Sequence, residues 1–363
     1  MSSSFGKNIR VSLFGQSHGE AVGVVIDGLP SGIPLDVNYL EAFLKRRAPA
    51  FNNLGTTRNE SDAVEILSGL YKGRLCGAPF AAIIRNKDIK QSDYSQFLDN
   101  PRPGHADFTA QMKYKGAQDF SGGGHFSGRL TAPLCIAGAI CLKLLSLSDV
   151  FIGAHIERIG NVWDSRFDPV YVNAESFNAI KSGELPVINN AAGKEMSKLI
   201  KQAAKEGDSV GGAIECAVVG LPAGVGEPMF EGLENRISAA VFGIPAVKGI
   251  EFGSGFACSS MRGSEHNDSF IVENGIVKTE TNNHGGILGG ICSGMPIIFT
   301  LAVKPTPSIA KEQNTVSLSQ MKNTKISVKG RHDPCIVPRA VPCVEAAAAI
   351  SVYDAFLDYK KYQ

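Results

Sequence analysis

Apolar residues gather in short β-branched runs, or alternate with polar ones, at residues 9–13, 22–26, 63–67, 80–84, 213–219, 247–252, 276–279 and 297–303; each run predicts a strand. Elsewhere the spacing becomes helical. Asp36 offers a cap for a helix running through Tyr39 and Leu44 to Arg46. Residues 131–147 form a long apolar run that predicts a buried helix; it is too short, and too interrupted by Lys143, for a membrane span. Residues 194–206 predict a polar, exposed helix, and the alanine-rich stretch 340–359 a closing one. Residues 314–323 are mostly polar and predict a flexible surface loop.

One short pattern occurs twice. Gly28-Leu29-Pro30-Ser31-Gly32-Ile33 follows a predicted strand and precedes a helix, and Gly220-Leu221-Pro222-Ala223-Gly224-Val225 does the same. The echo predicts two pseudo-symmetric halves in one α+β unit with two sheets, its helices packed outside or between them.

Composition narrows the function classes. With 363 residues, 44% hydrophobic and 20% charged, the chain can bury a large core. Net charge is +1, which gives no support to nucleic-acid binding over a broad basic surface. None of the eight cysteines forms a Cys-x-x-Cys pair and most have apolar neighbours, so free, buried thiols in a reducing, cytoplasmic setting are expected. The N-terminus shows no signal-peptide run.

Four of the seven histidines adjoin a glycine: His18 in Gly15-Gln16-Ser17-His18-Gly19, His105 in Arg102-Pro103-Gly104-His105-Ala106-Asp107, His125 after Gly122-Gly123-Gly124, and His284 before Gly285-Gly286. A fifth, His332, lies in Gly330-Arg331-His332-Asp333-Pro334. Glycine lets a backbone approach a ligand closely, and histidine exchanges protons near neutral pH. Arg46, Arg47, Arg129, Arg331 and Arg339 recur beside these turns, and guanidinium suits bidentate binding of phosphate and carboxylate. Together they point to one composite site for an anionic substrate. No dinucleotide fingerprint, Walker lysine, metal-ligand spacing or nucleophile elbow is present, and no metal is expected. His155 and His266 read as structural.

These segments, in order along nearly the whole chain, resemble the chorismate synthase family. The match comprises the Gly-x-Ser-His-Gly loop, Arg102 to Asp107 as quoted, the 122–129 loop, the 283–290 stretch, Lys304-Pro305-Thr306, and Gly330 to Cys335 with Arg339-Ala340-Val341-Pro342. The resemblance implies an α+β fold, a β-α-β sandwich with internal pseudo-symmetry, as a single catalytic domain over 1–363. It implies a lyase for the last step of the shikimate pathway, in which 5-enolpyruvylshikimate 3-phosphate loses phosphate by 1,4-anti elimination to give chorismate. Reduced FMN is required without net redox change, and homotetramers are implied. Some members reduce their flavin with NADPH; an outside supply is favoured here, since no dinucleotide motif is visible.

By the same resemblance His18 assists phosphate departure and His105 sets protonation at the flavin pyrimidine side. Ser17 with Asp333 forms a relay near flavin N5. Arg47, Arg129 and Arg331 are substrate contacts. His125, Phe126, Ser127, Pro245, Ala246, Gly289, Lys304, Pro305, Thr306, Pro307, Ser308 and Arg331 are cofactor contacts. Gln16, Asn53, His125-Phe126, Leu130 and Pro245 depart from the family's usual residues. A flavin-dependent oxidoreductase and an inactive anion-binding paralogue are the alternatives.

Overall fold

The computed structural model describes residues 3–48, 62–86, 96–180, 184–328 and 332–363. Arg331 and Asn53 lie outside the described residues.

The first half runs β1 (Ser4–Phe5), β2 (Arg10–Gly15), β3 (Ala21–Asp27), α1 (Val37–Arg47), β4 (Glu65–Ser68), β5 (Leu70–Tyr71), β6 (Arg74–Leu75), β7 (Phe80–Arg85), α2 (Asp107–Tyr114) and α3 (Thr131–Ser146). The second runs β8 (Phe151–Ile159), β9 (Val162–Trp163), α4 (Ala174–Ile180), α5 (Asn190–Lys205), β10 (Gly212–Val219), α6 (Leu233–Phe242), β11 (Val247–Phe252), α7 (Gly263–His266), β12 (Phe270–Glu273), β13 (Ile276–Thr279), β14 (Ile287–Leu288), β15 (Ile291–Cys292), β16 (Ile297–Val303), β17 (Gln313–Ser317), β18 (Lys322–Ile326) and α8 (Val337–Lys360).

Two five-stranded antiparallel sheets result, ordered β1-β2-β3-β7-β4 and β11-β16-β10-β8-β9. With the edge strands β1 and β9 set aside, β2-β3-β7-β4 maps onto β8-β10-β16-β11, and α1 and α3 onto α6 and α8. The halves are therefore topological repeats. The hexapeptide echo sits at equivalent places, just after β3 and just after β10. Gly28 has φ +85° and a Cβ there would lie 2.2 Å from Asn8 O; Gly220 has φ +79° and a Cβ would lie 2.0 Å from Asp149 O. Only glycine fits either turn.

Between the sheets lies a helical layer. α3 packs on β3 and β7, α8 on β8 and β10, and the two helices pack on one another. They approach closely at Gly138, where a Cβ would stand 2.1 Å from that of Ala346. Both helices are long and apolar enough to cross a membrane by composition, yet 83% and 94% of their apolar windows are buried inside the fold. Apolar side chains from both sheets and this layer form one continuous core. Asp354 of α8 accepts from the backbone N–H groups of Lys7, Asn8 and Ile9 at 3.0, 2.7 and 3.0 Å. Its other oxygen meets Arg236 of α6, so the last helix ties the two halves together.

Two expectations need correction. Residues 314–323 are not a loop: they fall in the β17–β18 hairpin. The covered face of this ribbon carries polar Gln313, Thr315, Ser317 and Thr324, with Ile326 its one apolar side chain, so no apolar stripe marks it and its pattern reads as a loop. The ladder, the turn at Met321 with φ +51°, and anchoring of Ser317 and Ser319 to Asp99 hold it as strands. The α5 helix is amphipathic, not exposed throughout, because Met196, Ser197 and Ile200 are buried.

Candidate active site

The glycine loop before α3 organises the site. Gly122, Gly123 and Gly124 have φ of +62°, +98° and +53° inside the 3-10 turn Ser121–Phe126. A Cβ on Gly122 would fall 1.9 Å from His18 Cε1, and one on Gly123 would fall 3.1 Å from His105 Nε2. Two histidines 87 positions apart in sequence thus abut adjacent glycines. Side chains at these glycines would displace both imidazoles.

Each histidine has its own support. His18 is buried, and its Nδ1 is 3.0 Å from Ser17 Oγ, which donates to Ser121 O at 3.1 Å. The Ser17 N–H donates to Gly124 O at 3.1 Å, fixing this turn to the glycine loop. His105 Nδ1 lies 2.6 Å from Asp107 Oδ1. Arg102 grips both oxygens of that carboxylate, at 2.7 and 2.8 Å. Burial opposes ionisation of Asp107, but hydrogen bonds from Arg102 and His105 outweigh it and hold the carboxyl below its ordinary range.

An arginine cluster adjoins the His18 turn. Arg47 Nε and Nη2 donate to Asp62 Oδ2 at 3.2 and 3.0 Å, while Nη1 donates to Thr131 Oγ1 at 3.0 Å. Arg129 donates to the other Asp62 oxygen. Its Nε donates to Asn86 Oδ1 at 3.1 Å, and Asn86 Nδ2 donates to Gln16 O and Gly19 O. Both guanidiniums are buried. Asp62 resists ionisation through burial, yet Arg47 and Arg129 hold it low. Arg339 donates to Arg47 O at 3.0 Å and to Asp333 Oδ2 at 2.5 Å.

The second half closes the circuit. Lys304 Nζ donates to Gly104 O, and its N–H to Ala246 O at 3.0 Å. Arg102 Nη1 donates to Ser308 Oγ at 3.2 Å. Ser209 donates to Thr306 O at 2.7 Å, and the Val210 N–H to Pro334 O at 2.9 Å, next to Asp333. Contacts therefore run from His18 through the glycine loop to His105, Lys304, Val210, Asp333, Arg339, Arg47, Arg129 and Asn86, then back to the His18 turn. Along this ring, among the described residues, five cations (Arg47, Arg102, Arg129, Arg339 and Lys304) stand with three carboxylates, Asp62, Asp107 and Asp333. Burial, and then Lys248, lower the Lys304 pKa, so an anion here would relieve it.

The expected residues fall into this frame unevenly. His18, Ser17, His105, Arg47, Arg129, Asp333, Ala246 and the 304–308 segment belong to the ring, with Pro245 next to Ala246. Ser127 caps the turn that carries Arg129, accepting from its N–H at 3.2 Å. His125 reaches Gly15 O at 3.0 Å and Ser3 Oγ at 2.9 Å, and exposed Phe126 packs near Tyr114. Gly289 lies with Gly290 in the turn of the β14–β15 hairpin, outside the ring, with open space where a Cβ would stand. Ser17 and Asp333, the two ends of the expected relay, have separate partners: Ser17 engages His18 and Ser121, and Asp333 engages Arg339. Arg46 is structural, held by buried Glu345 at 2.5 and 2.8 Å.

Asp62, Asn86, Arg102 and Asp107 are the participants that sequence reasoning passed over. Asp107 and Arg102 stood inside a quoted motif, with the i, i+2 spacing to His105 as a signal; Asp62 and Asn86 carried none. Among the described residues, no group of three or more His, Cys, Asp or Glu is arranged to hold a metal ion.

A family profile described as chorismate synthase matches residues 9–357. A chorismate synthase of Korarchaeum cryptofilum is 45% identical over 350 residues, covering 96% of each chain. One of Pyrococcus abyssi is 46% identical over 353 residues, covering 97% of each. A crystal structure of chorismate synthase superposes with a TM-score of 0.78 at 27% identity, covering 98% of this chain and 93% of that one.

Proposed function

The chain belongs to the chorismate synthase family, and from that premise we propose how its own residues divide the work. The reaction is a carbon–oxygen lyase step, 1,4-anti elimination of phosphate from 5-enolpyruvylshikimate 3-phosphate to give chorismate. The observation that carries the assignment of roles is the shared edge of His18 and His105 with Gly122 and Gly123, beside the Arg47–Asp62–Arg129 cluster.

His18 donates the proton that the departing phosphate oxygen needs, and Ser17 orients its ring through Nδ1. Arg47 and Arg129 give the polyanionic substrate fixed positive charge, preorganised by Asp62 and sheltered from water. Arg331 joins them in this reading. His105 holds a proton at the flavin side of the site. Asp333, held by Arg339, acts as the base for the substrate proton.

The residues fit a flavin phosphate: Lys304, its pKa lowered by burial and then by Lys248, favours an anion beside the turn at Gly104. His125, Phe126, Ser127, Pro245, Ala246, Lys304, Pro305, Thr306, Pro307, Ser308 and Arg331 would hold the cofactor. Bound reduced FMN supplies electron density to the breaking bond and recovers it, so no net redox change results. With no dinucleotide motif, the reduced flavin comes from outside.

The whole chain works as one catalytic unit in a homotetramer. Phe270, Val272 and Val277 share one face of the β12–β13 hairpin and are 60–74% exposed, an apolar face that association would cover. Free, largely buried cysteines favour the cytoplasm.

The test is an anaerobic assay of phosphate release with chemically reduced FMN and 5-enolpyruvylshikimate 3-phosphate. Equimolar chorismate and phosphate, with no reductant consumed per turnover, is expected. Stoichiometric reductant consumption would favour an oxidoreductase, and ligand binding without turnover an inactive paralogue.

A further inference from the structure

Asp107 stands next to the site in an arrangement that the roles above leave unused. Its carboxylate faces His105 Nδ1 at 2.6 Å, and its Oδ2 also accepts from the Arg102 N–H at 3.0 Å. Arg102 is buried, stacks over Phe97 at 4.3 Å, and is braced by Ser308 at 3.2 Å. The carboxylate is thus gripped from behind by a guanidinium that cannot swing away.

Nδ1 has two candidate neighbours, because Arg102 Nη2 is also 3.1 Å from it. A ring nitrogen cannot donate to one and accept from the other at once. The carboxylate decides the matter. It is closer, it is ionised, and an ionised carboxylate only accepts. Arg102 Nη2 already donates to Asp107 Oδ1 at 2.8 Å. Nδ1 therefore carries hydrogen, and Nε2 exchanges protons. Nε2 faces Gly123, on the side where Gly122 meets His18. The other charged groups around this ring are Lys304, seated on Gly104 O, and Asp119, which lines the same cleft together with Phe97, Gln118 and Phe126.

We propose that Asp107, clamped by Arg102, is a positioning residue for the reaction: it fixes the Nδ1–H tautomer of His105 and turns Nε2 toward the glycine loop as the proton-exchanging atom. The proposal rests on the role given to His105 above. No proton leaves Asp107; the transferred proton enters and leaves at Nε2.

Asp107→Asn keeps the shape and removes the charge, and Asp107→Glu keeps the charge. Two readouts are needed: kcat and KM in the anaerobic assay, and the tautomer of the neutral His105 ring in free enzyme by NMR of histidine labelled with nitrogen-15 at both ring positions, the resonances being identified by their loss in His105→Ala. In Asp107→Asn we expect kcat to fall about 10- to 100-fold with KM within about threefold. The Nδ1–H form, dominant in the unmodified enzyme, should give way to a mixture of the two tautomers. Asp107→Glu should restore the Nδ1–H form, and it keeps the test open if the asparagine variant folds poorly. An Asp107→Asn enzyme with unchanged tautomer and unchanged kcat overturns the proposal. Full activity of His105→Ala overturns the role of His105 instead, and the NMR arm still reads the tautomer independently.

Discussion

The two halves of this molecule repeat one topology but treat their histidines in opposite ways. In the first half His18 and His105 sit on turns, each with a ring edge against glycine. In the second half His155 sits inside β8, fully buried, with Nδ1 3.1 Å from Asp164 and Nε2 2.9 Å from Glu215. Both its nitrogens are occupied, and Phe167 packs edge-on at 4.6 Å. The first pair borders the glycine loop; the last is sealed into an ion cluster. Residue type is thus a poor guide to role here, and the backbone that carries the ring is a good one.

The halves differ again in the connection that leaves their last shared strand. From β7 to α3 the chain delivers Arg102, His105, Asp107 and the glycine loop. From β16 to α8 it delivers Lys304, Ser308, the β17–β18 hairpin and Asp333. These equivalent connections meet, through Lys304 on Gly104, Arg102 on Ser308 and Thr315 on Pro101. One strand-to-helix link brings His105 with its Asp107–Arg102 clamp and the glycine loop, and its counterpart brings Lys304, Ser308 and Asp333, so equivalent links make unlike contributions.

The sharpest break of this comparison is a pair of substitutions. His155→Leu strands two buried carboxylates and should cost about 3–5 kcal/mol in urea unfolding, with turnover of the folded enzyme unchanged. His105→Ala should do the reverse, lowering turnover by about 100-fold or more at near-normal stability. If both variants lose stability and activity together, the distinction between sealed and working histidines fails.

A smaller effect tests the repeat itself. Gly28→Ala and Gly220→Ala should each cost about 1–3 kcal/mol, because both turns have positive φ and a carbonyl in the Cβ position. Strongly unequal losses in chemical unfolding would mean that the two turns are not equivalent.

The smallest effect is the pH dependence of stability. Burial lowers the His155 pKa, but Asp164 and Glu215 outweigh it and the net direction is up. A raised histidine stabilises fully below its unfolded value of about 6.5 and loses that contribution as pH climbs through the folded value. Asp164 and Glu215 are lowered despite burial, by hydrogen bonds led by His155, so their contribution is present above roughly pH 4 and lost in acid. Urea midpoints should therefore decline from neutral to alkaline pH, and His155→Leu should flatten that decline. An equally steep alkaline decline in the variant would remove His155 as its cause.

Much of the architecture was legible along the chain. β11, β13 and β16 match the predicted runs residue for residue, because β-branched runs bounded by glycine and proline leave little choice. The start of α8 was legible only from Ala340, because Pro338 mimics a breaker; it lies in the first turn, where a missing N–H costs nothing. The glycine–histidine turns were legible as a common chemistry, and the family resemblance ordered them.

The amino-acid sequence by itself determined most strands of the two large sheets, the four longest helices, the doubled hexapeptide and the family, since these come from local spacing and from motifs in fixed order; β8, α6 and the β17–β18 hairpin it did not mark. The tertiary structure alone decided that Gly122 and Gly123 abut two separate histidines, that Asp62 bridges Arg47 and Arg129, and that Asp107 rather than solvent meets His105. Those pairings span up to 104 positions, and no periodicity carries information over that distance. They exist because two sheets closed on α3 and α8 and brought remote turns to one edge of the core.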